Sequence, residues 1–259
     1  MGDTNVRIRS FVGAVCGALA LSALVAPAAQ AEESPITFSS IAINSGQPLV
    51  VGTGTPRTFR VYYNVHHTHK LYFTEATLYA GGFDAWSARS RPVADASCRD
   101  LSATVARCVQ SLAIDPKTFV GNGVAGTWHV YLKAVDSDHN VVGKGGLYPT
   151  TVKRASVLAY TTAGPEPVVK GQTLTVTGKL THADWNTQTY VGQSGKAVEL
   201  QFRPDGGSYR VVKTVQTGSG GALKATVTAS VDGAWRWAYK GDSTTGGAIA
   251  VGDAVDVKE

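Results

Sequence analysis

What most limits the fold of this chain is the spacing of its apolar residues. From Ile36 onward they return at every second position in short runs, and no stretch sustains the 3.6-residue period of a helix. In Trp128-His129-Val130-Tyr131-Leu132, the side chains of Trp128, Val130 and Leu132 fall on one side of an extended chain, and His129 and Tyr131 on the other. Runs of this kind, rich in Val, Thr and aromatics and separated by Gly, Asn, Asp and Pro, read as strands. In the first half they predict strands at Ile36–Asn44, Pro48–Val51, Thr58–Asn64, Leu71–Tyr79, Thr104–Ile114 and Thr127–Val135, with another from Val141–Val142 continuing after Gly146. Asp115 ahead of Pro116 predicts one helical turn within Asp115–Val120.

The second half repeats the pattern. Leu174, Val176 and Leu180 alternate with Thr and Lys. Val198–Phe202 leads through Arg203-Pro204-Asp205-Gly206-Gly207-Ser208 into Tyr209–Val215, a hairpin in which Pro presets the turn and Asp-Gly accepts positive φ. Leu223, Ala225, Val227 and Ala229 share a face, and Trp235, Trp237, Tyr239, Val255 and Val257 follow. Ala163-Gly164-Pro165-Glu166-Pro167 breaks an early strand. About seven strands in roughly 105 residues suit an immunoglobulin-like sandwich. The expected architecture is all-β: two immunoglobulin-like β-sandwich domains in tandem, residues 32–154 and 155–259, joined near Lys153–Ser156.

Residues 1–31 read as a signal peptide. Arg7 and Arg9 precede the small, apolar run Phe11–Ala26, and Ala29-Gln30-Ala31 has the form that signal peptidase cleaves. The run is too short and too rich in Ala and Gly for a membrane span of about 20 strongly apolar residues. Removing 31 of the 259 residues leaves 228, enough for two ordinary domains, with no membrane span and no C-terminal anchor expected. These residues carry 22 Lys and Arg against 18 Asp and Glu, scattered rather than gathered into a stripe, so no nucleic-acid partner is expected. Two cysteines survive processing, Cys98 and Cys108. In an oxidising compartment such a pair reads as one disulfide, which stabilises by roughly 2–3 kcal/mol.

Certain stretches carry a resemblance. "PEPVVKGQTLTVTGKLTHADWNTQTYVGQSGKAVELQFRPDGGSYRVVKTVQT", then "ASVDGAWRWAYKGDSTT" and "GDAVDVK", resemble the immunoglobulin-like repeat of secreted actinobacterial two-domain proteins of unassigned function. The first half, with "PLVVGTGTPRTF", its two cysteines and "AGTWHVYLKAVD", is similar to the partner domain of that family. The resemblance implies secretion and, for some members, a calcium-binding label, and it brings no catalytic residues. Where a short Asp/Gly turn belongs in the first domain, this chain has "NVHHTHK".

Four features bear on chemistry. Gly241-Asp242-Ser243 imitates a serine-protease nucleophile turn, but Thr244 and Thr245 replace the glycines that follow, and no histidine lies beyond His182. It reads as a turn. In "NVHHTHK", His67 and His69 project to one side of an extended segment and His66 to the other; with His129 or Glu75 they form a zinc candidate, against an ordinary polar loop. Asp136, Asp138 and Asn140 in "DSDHN" are a calcium candidate, but an EF-hand needs Gly and Glu where Val141 and Leu147 stand, so a hairpin turn competes. Phe83, Trp86, Trp185 and Tyr190 lie in expected long loops, where rings either stack on sugars or fold back onto the edge of their own core. Trp235 and Trp237 alternate along a strand and are expected in the core.

No catalytic constellation, phosphate loop or required cofactor emerges. The expected function is that of a secreted, extracellular protein, free or cell-wall-associated, that serves as a non-enzymatic binding or envelope-associated structural module. Its partners would be cell-wall polymer, carbohydrate or another protein. A calcium- or zinc-binding protein and an extracellular hydrolase are the alternatives.

Overall fold

The computed structural model describes residues 35–82, 85–119 and 121–259. Among them, regular structure is strand apart from four single 3-10 turns. The first half forms β1 (Ile36–Ile43), β2 (Leu49–Val51), β3 (Arg57–His67), β4 (Leu71–Gly82), β5 (Ala85–Arg89), β6 (Arg91–Pro92), β7 (Ser97–Ser102), β8 (Val105–Ile114), β9 (Gly126–Asp136) and β10 (Val141–Arg154). One sheet runs β1-β3-β8, with β6 and β7 both pairing β8; the other runs β2-β10-β9-β4-β5. The inward residues of β9, Trp128, Val130 and Leu132, are fully buried in one core with Val61, Tyr63 and Val65 of β3. Each such side chain contributes about 1.5–3 kcal/mol by leaving water.

The second half forms β11 (Ser156–Gly164), β12 (Val168–Val169), β13 (Thr173–Asp184), β14 (Thr189–Gly192), β15 (Ala197–Pro204), β16 (Arg210–Gln216), β17 (Ala222–Thr228), β18 (Gly233–Tyr239), β19 (Ala248–Ile249), β20 (Asp253–Val255) and β21 (Val257–Lys258). One sheet sets β13 between β11 on one edge and β14 with β17 on the other; the second runs β16-β15-β18, with β19 and β20 on β18. Leu174, Val176, Leu180, Leu200 and Trp237 fill a core of their own. The Pro204–Gly207 hairpin turn forms as its sequence dictates, with Gly206 at φ 69° and the Gly207 N–H donating to Pro204 O.

Both halves open with the same device. The chain leaves β1 through Asn44-Ser45-Gly46, crosses sheets, and pairs β2 in parallel with β10, Leu49 opposite Val152 and Val51 opposite Arg154. In the second half β11 ends at Gly164, and past the prolines β12 pairs in parallel with β21. In the first half this strand forms the edge of the second sheet, whereas β12 and β21 stand as a two-stranded ribbon of their own.

The structure corrects several expected boundaries. β3 does not stop at Asn64: Val65 and His67 keep the inward alternation, and the strand runs through half of "NVHHTHK". Trp86 and Tyr190, expected in loops, lie on β5 and β14. Strand β7 had no apolar signal at all. It is exposed along its whole length and is held by pairing with β8 and by the disulfide Cys98–Cys108, whose members sit directly opposite in register. The single turn after Asp115 is a 3-10 turn, Pro116–Thr118, capped by the Asp115 carboxylate.

Only Ala155 separates β10 from β11, and the seam between the sandwiches is tightly bonded. The Ala155 N–H donates to Val51 O, and Ala155 O accepts from the Ala183 N–H. Trp185 crosses the seam. Although it follows β13, its ring is 2% exposed and joins the core of the first half. The indole N–H donates to Gly52 O at 2.9 Å, the backbone N–H donates to Asn122 Oδ1 at 2.8 Å, and Phe119 packs edge-on at 4.8 Å. Gly121, at φ 118°, admits Asn186 against its backbone where a Cβ would collide.

Candidate functional site

The outer face of the second sheet of the first sandwich gathers aromatic rings. Because Trp128 and Val130 point inward, His129 and Tyr131 point out. Tyr79 pairs with His129 and Thr77 with Tyr131, so their side chains share that outer face. A bulge follows: Gly81 pairs with Trp86 but Ala80 with Ala88, which leaves Ser87 as the extra residue. The bulge brings Trp86 and Arg89, three residues apart, onto the same side as Tyr79. Trp86 stacks on Tyr79 at 5.2 Å and lies 6.0 Å from Tyr131, and Tyr79 lies 5.9 Å from His129. The Arg89 guanidinium sits 5.8 Å from the Trp86 ring centroid, within cation–π range.

Tyr79 is 2% exposed yet belongs to neither core. It is covered from outside by Trp86 and by the glycine-rich part of β10, whose Gly146 N–H donates to the Tyr79 hydroxyl at 2.7 Å. Gly143 is required here, because the Tyr131 phenol lies where a Cβ would be. "GKGG" is therefore the floor of a cleft of about 540 Å³ bordered by Tyr79 and His129. A second cleft, of about 650 Å³, has Trp86 and Arg89 in its wall. Two polar atoms in this cluster, Trp86 Nε1 and His129 Nδ1, are buried with no hydrogen-bond partner among the described residues. Three enclosed indoles are satisfied within the chain: Trp128 donates to Val124 O, Trp185 to Gly52 O and Trp237 to Thr177 O.

Of the aromatics expected to bind ligand, Trp86 is thus placed on an open face, and Phe83 lies outside the described residues. Trp185 is corrected to a core residue of the seam. Tyr190 also belongs to the seam: it is 42% exposed, and its hydroxyl lies close against Gly52. Tyr79, His129 and Tyr131 were not expected as members of an aromatic face, His129 having been considered only as a zinc ligand, although the alternation Trp128–Leu132 already assigned His129 and Tyr131 to the face away from the core.

The metal candidates are only partly brought together. His67 does not join His69. It is buried on the inner side of β3 with both ring nitrogens unpartnered, whereas His69 lies on the β3–β4 turn, because the strand ends between them. His66 bonds to Ser39 Oγ at 2.7 Å, and His129 lies on the far side of the other sheet. His69 instead meets the other candidate set, 3.6 Å from Asp136 Oδ2 and 3.3 Å from Asp138 Oδ2.

Those aspartates serve a turn. Asp136 Oδ1 accepts the backbone N–H groups of Asp138 and Asn140, and Oδ2 accepts the Asn140 amide. The Asn140 amide, outweighing burial and aided by those backbone N–H groups and His69, holds the Asp136 carboxyl below the usual carboxylate range. The left-handed residue of this hairpin is His139, at φ 65°, rather than an Asp or Asn. Among the described residues, no three His, Cys, Asp or Glu side chains converge on a metal position.

Gly241-Asp242-Ser243 follows β18 as a bend, and its working residue is Asp242. Oδ1 accepts the N–H groups of Thr244 and Thr245, while Oδ2 accepts the Lys196 ammonium at 2.7 Å and the Tyr239 hydroxyl at 3.2 Å. The bend also clasps the seam: the Arg154 N–H donates to Thr244 O, the Gly246 N–H donates to Arg154 O, and Lys153 Nζ donates to Asp242 O. Burial opposes ionisation of Asp242, but Lys196 and the backbone donors outweigh it and hold its carboxyl well below the usual range. Among the described residues, no histidine is bonded to Ser243.

The architecture thus places the chain among all-β proteins built of immunoglobulin-like sandwiches. No protein-family model and no curated protein matches it. Among solved structures it is similar to dimeric latent PorU from Porphyromonas gingivalis, at 14% identity and TM-score 0.30, over 87% of this chain but only 20% of that one. It is also similar to the D00-D0 domain of Intimin, at 14% identity and TM-score 0.28, over 83% and 98% of the two chains. The fibronectin(III)-like modules of Clostridium thermocellum CbhA give 14% identity and TM-score 0.28, over 86% and 92%.

Proposed function

We propose that this protein is an exported, non-enzymatic binding module whose ligand docks on the outer aromatic face of the first sandwich. The signal-peptide pattern and the Cys98–Cys108 disulfide support an extracellular, envelope-facing location. One observation carries the reading. Among the described residues, Trp86 is a half-buried indole that stacks on Tyr79 and lines the 650 Å³ cleft, whereas the indoles of Trp128, Trp185 and Trp237 are enclosed and hydrogen-bonded within the chain. Ligand clefts are commonly lined by aromatic rings with a few polar groups beside them, and a ring left half-covered on such a wall offers a surface on which a ligand can stack. A flat ring beside the polar groups of Ser87, Arg89 and Arg91 suits carbohydrate, including the glycan of a cell wall, and the reading invokes no cofactor.

The test is a glycan array and a pull-down against purified cell walls, using the intact protein and Trp86→Ala. Enrichment that disappears with Trp86→Ala, at unchanged circular dichroism, is the expected result. Equal retention of both proteins, or of neither, overturns it.

A further inference from the structure

We infer that the ligand of this face is a polyanionic glycan, its carboxylate or phosphate groups held by Arg89 and Arg91 while an adjoining sugar stacks on Trp86. This rests on the binding reading above and narrows it to a chemical class.

The 650 Å³ cleft lies where the chain steps from one sheet to the other. β5 ends at Arg89, β6 begins at Arg91, and the buried Ser90 between them is the pivot. Its N–H donates to Leu78 O and its hydroxyl accepts the Leu78 N–H, at 2.8 and 2.9 Å. The two arginines are therefore presented from a fixed backbone rather than from a loose loop, and both line the cleft with Trp86, Ser87, Asp115 and Thr118.

Their charge is only partly met. Among the described residues Arg89 has no carboxylate partner, and its guanidinium lies 5.8 Å from the Trp86 ring centroid. Arg91 is two-thirds exposed and reaches Asp115 Oδ2 at 3.9 Å, while the other oxygen of that carboxylate accepts the Lys117 N–H. Two guanidinium groups thus face one carboxylate that is already engaged in capping a turn. A neutral sugar would meet the ring but leave both forks to water. A uronate or a phosphodiester would fill them, because the planar guanidinium matches the spacing of two such oxygens. The Ser87 hydroxyl adds a neutral donor for a ring oxygen, while the Thr118 hydroxyl already donates to Asp115 O and is left to accept.

The experiment uses the full chain in titration calorimetry against three probes: polygalacturonate, poly(glycerol phosphate) and a neutral β-1,4-glucan oligosaccharide. Wild-type protein is expected to bind at least one polyanion more tightly than the neutral glucan, and to lose that affinity as salt rises. Arg89→Gln with Arg91→Gln should lose polyanion affinity by about a hundredfold, or about tenfold per charge-assisted contact, while keeping whatever affinity the glucan shows. Which polyanion binds identifies the anionic group.

If neutral glucan binds as tightly as either polyanion, or if the double arginine variant keeps its polyanion affinity, the inference fails. The broader binding reading then survives only where Trp86→Ala still abolishes binding. If no probe binds, the inference fails, and the cell-wall pull-down decides the broader reading. Unfolding midpoints within about two degrees of wild type, roughly what a few tenths of a kcal/mol produce, confirm that the variants are folded. Should the double variant fall outside that range, Arg89→Lys with Arg91→Lys takes its place. It keeps charge but loses the fork, and unchanged affinity there likewise counts against the inference.

Discussion

Trp86 and Trp185 look alike in the sequence, each a lone indole in a polar segment, yet they end in opposite circumstances. Trp185 is swallowed by the seam: 2% exposed, its indole N–H on Gly52, its backbone N–H on Asn122 and its ring edge-on to Phe119. Trp86 lies on the outside of a sheet, half-buried, stacked on Tyr79 and lining a cleft. What separates them is how far the fold covers each ring. Trp185 is enclosed and hydrogen-bonded within the chain, whereas Trp86 keeps part of its surface open to the cleft.

The contrast is sharpest in stability. Trp185→Ala should cost about 3–5 kcal/mol, read from urea unfolding, and should destabilise the first sandwich even though the residue follows β13. A loss below about 1 kcal/mol would mean that the seam is not structural. Removing the Cys98–Cys108 crosslink by a double serine substitution should cost about 3 kcal/mol for so short a loop. Its effect should stay within the β7–β8 edge, as hydrogen exchange there would reveal.

Acid comes next. The folded-state pKa of Asp242 lies below its unfolded value, so its contribution is complete above an unfolded pKa of about 4 and is lost as pH falls from there toward the lower folded pKa. Burial, with Arg154, also lowers His182, so its neutral form favours folding, and that stability begins to fall away below an unfolded pKa of about 6.5. Asp242→Asn should remove about 1–3 kcal/mol at neutral pH and flatten the acid limb below about pH 4, leaving the earlier step attributable to His182. An unchanged limb would contradict the role given to Asp242.

Trp86→Ala should lose the ligand with a stability change of about 1–2 kcal/mol at most, since its ring is only half-enclosed. A cost as large as that of Trp185 would erase the distinction. Smallest of all, saturating calcium or zinc should leave the unfolding midpoint where it is, because Asp136 spends its oxygens on the hairpin. A clear upward shift would restore the metal reading.

Much of this was legible from residues alone. Strands such as β9 and β13 cover a core on one face, so the alternation of Trp128–Leu132 or Leu174–Leu180 states their existence and orientation directly. Even the extension of β3 was visible, since Phe59, Val61, Tyr63, Val65 and His67 keep strict step. The short edge strands were not. β7 covers no core and shows no alternation; register and a disulfide hold it, and both are properties of the partner strand. Trp185 was opaque for a related reason. Nothing local says that a residue of the second half completes the packing of the first, because that depends on a contact 133 residues away at Gly52. On the candidate face, His129 and Tyr131 were assignable to the outside. Their convergence with Tyr79 and Trp86 depended on cross-strand register and on one bulge at Ser87, neither of which periodicity reports.

The parallel pairing of β2 with β10, and of β12 with β21, has a mechanical meaning. Tension entering a sandwich through its opening strand and leaving through its closing one would try to slide two ribbons lengthwise past each other. The rungs of such a ladder are strained together rather than one after another, as they would be in a hairpin peeled from its end. Each sandwich is in this sense clamped along its line of pull, a property that suits the binding role proposed above.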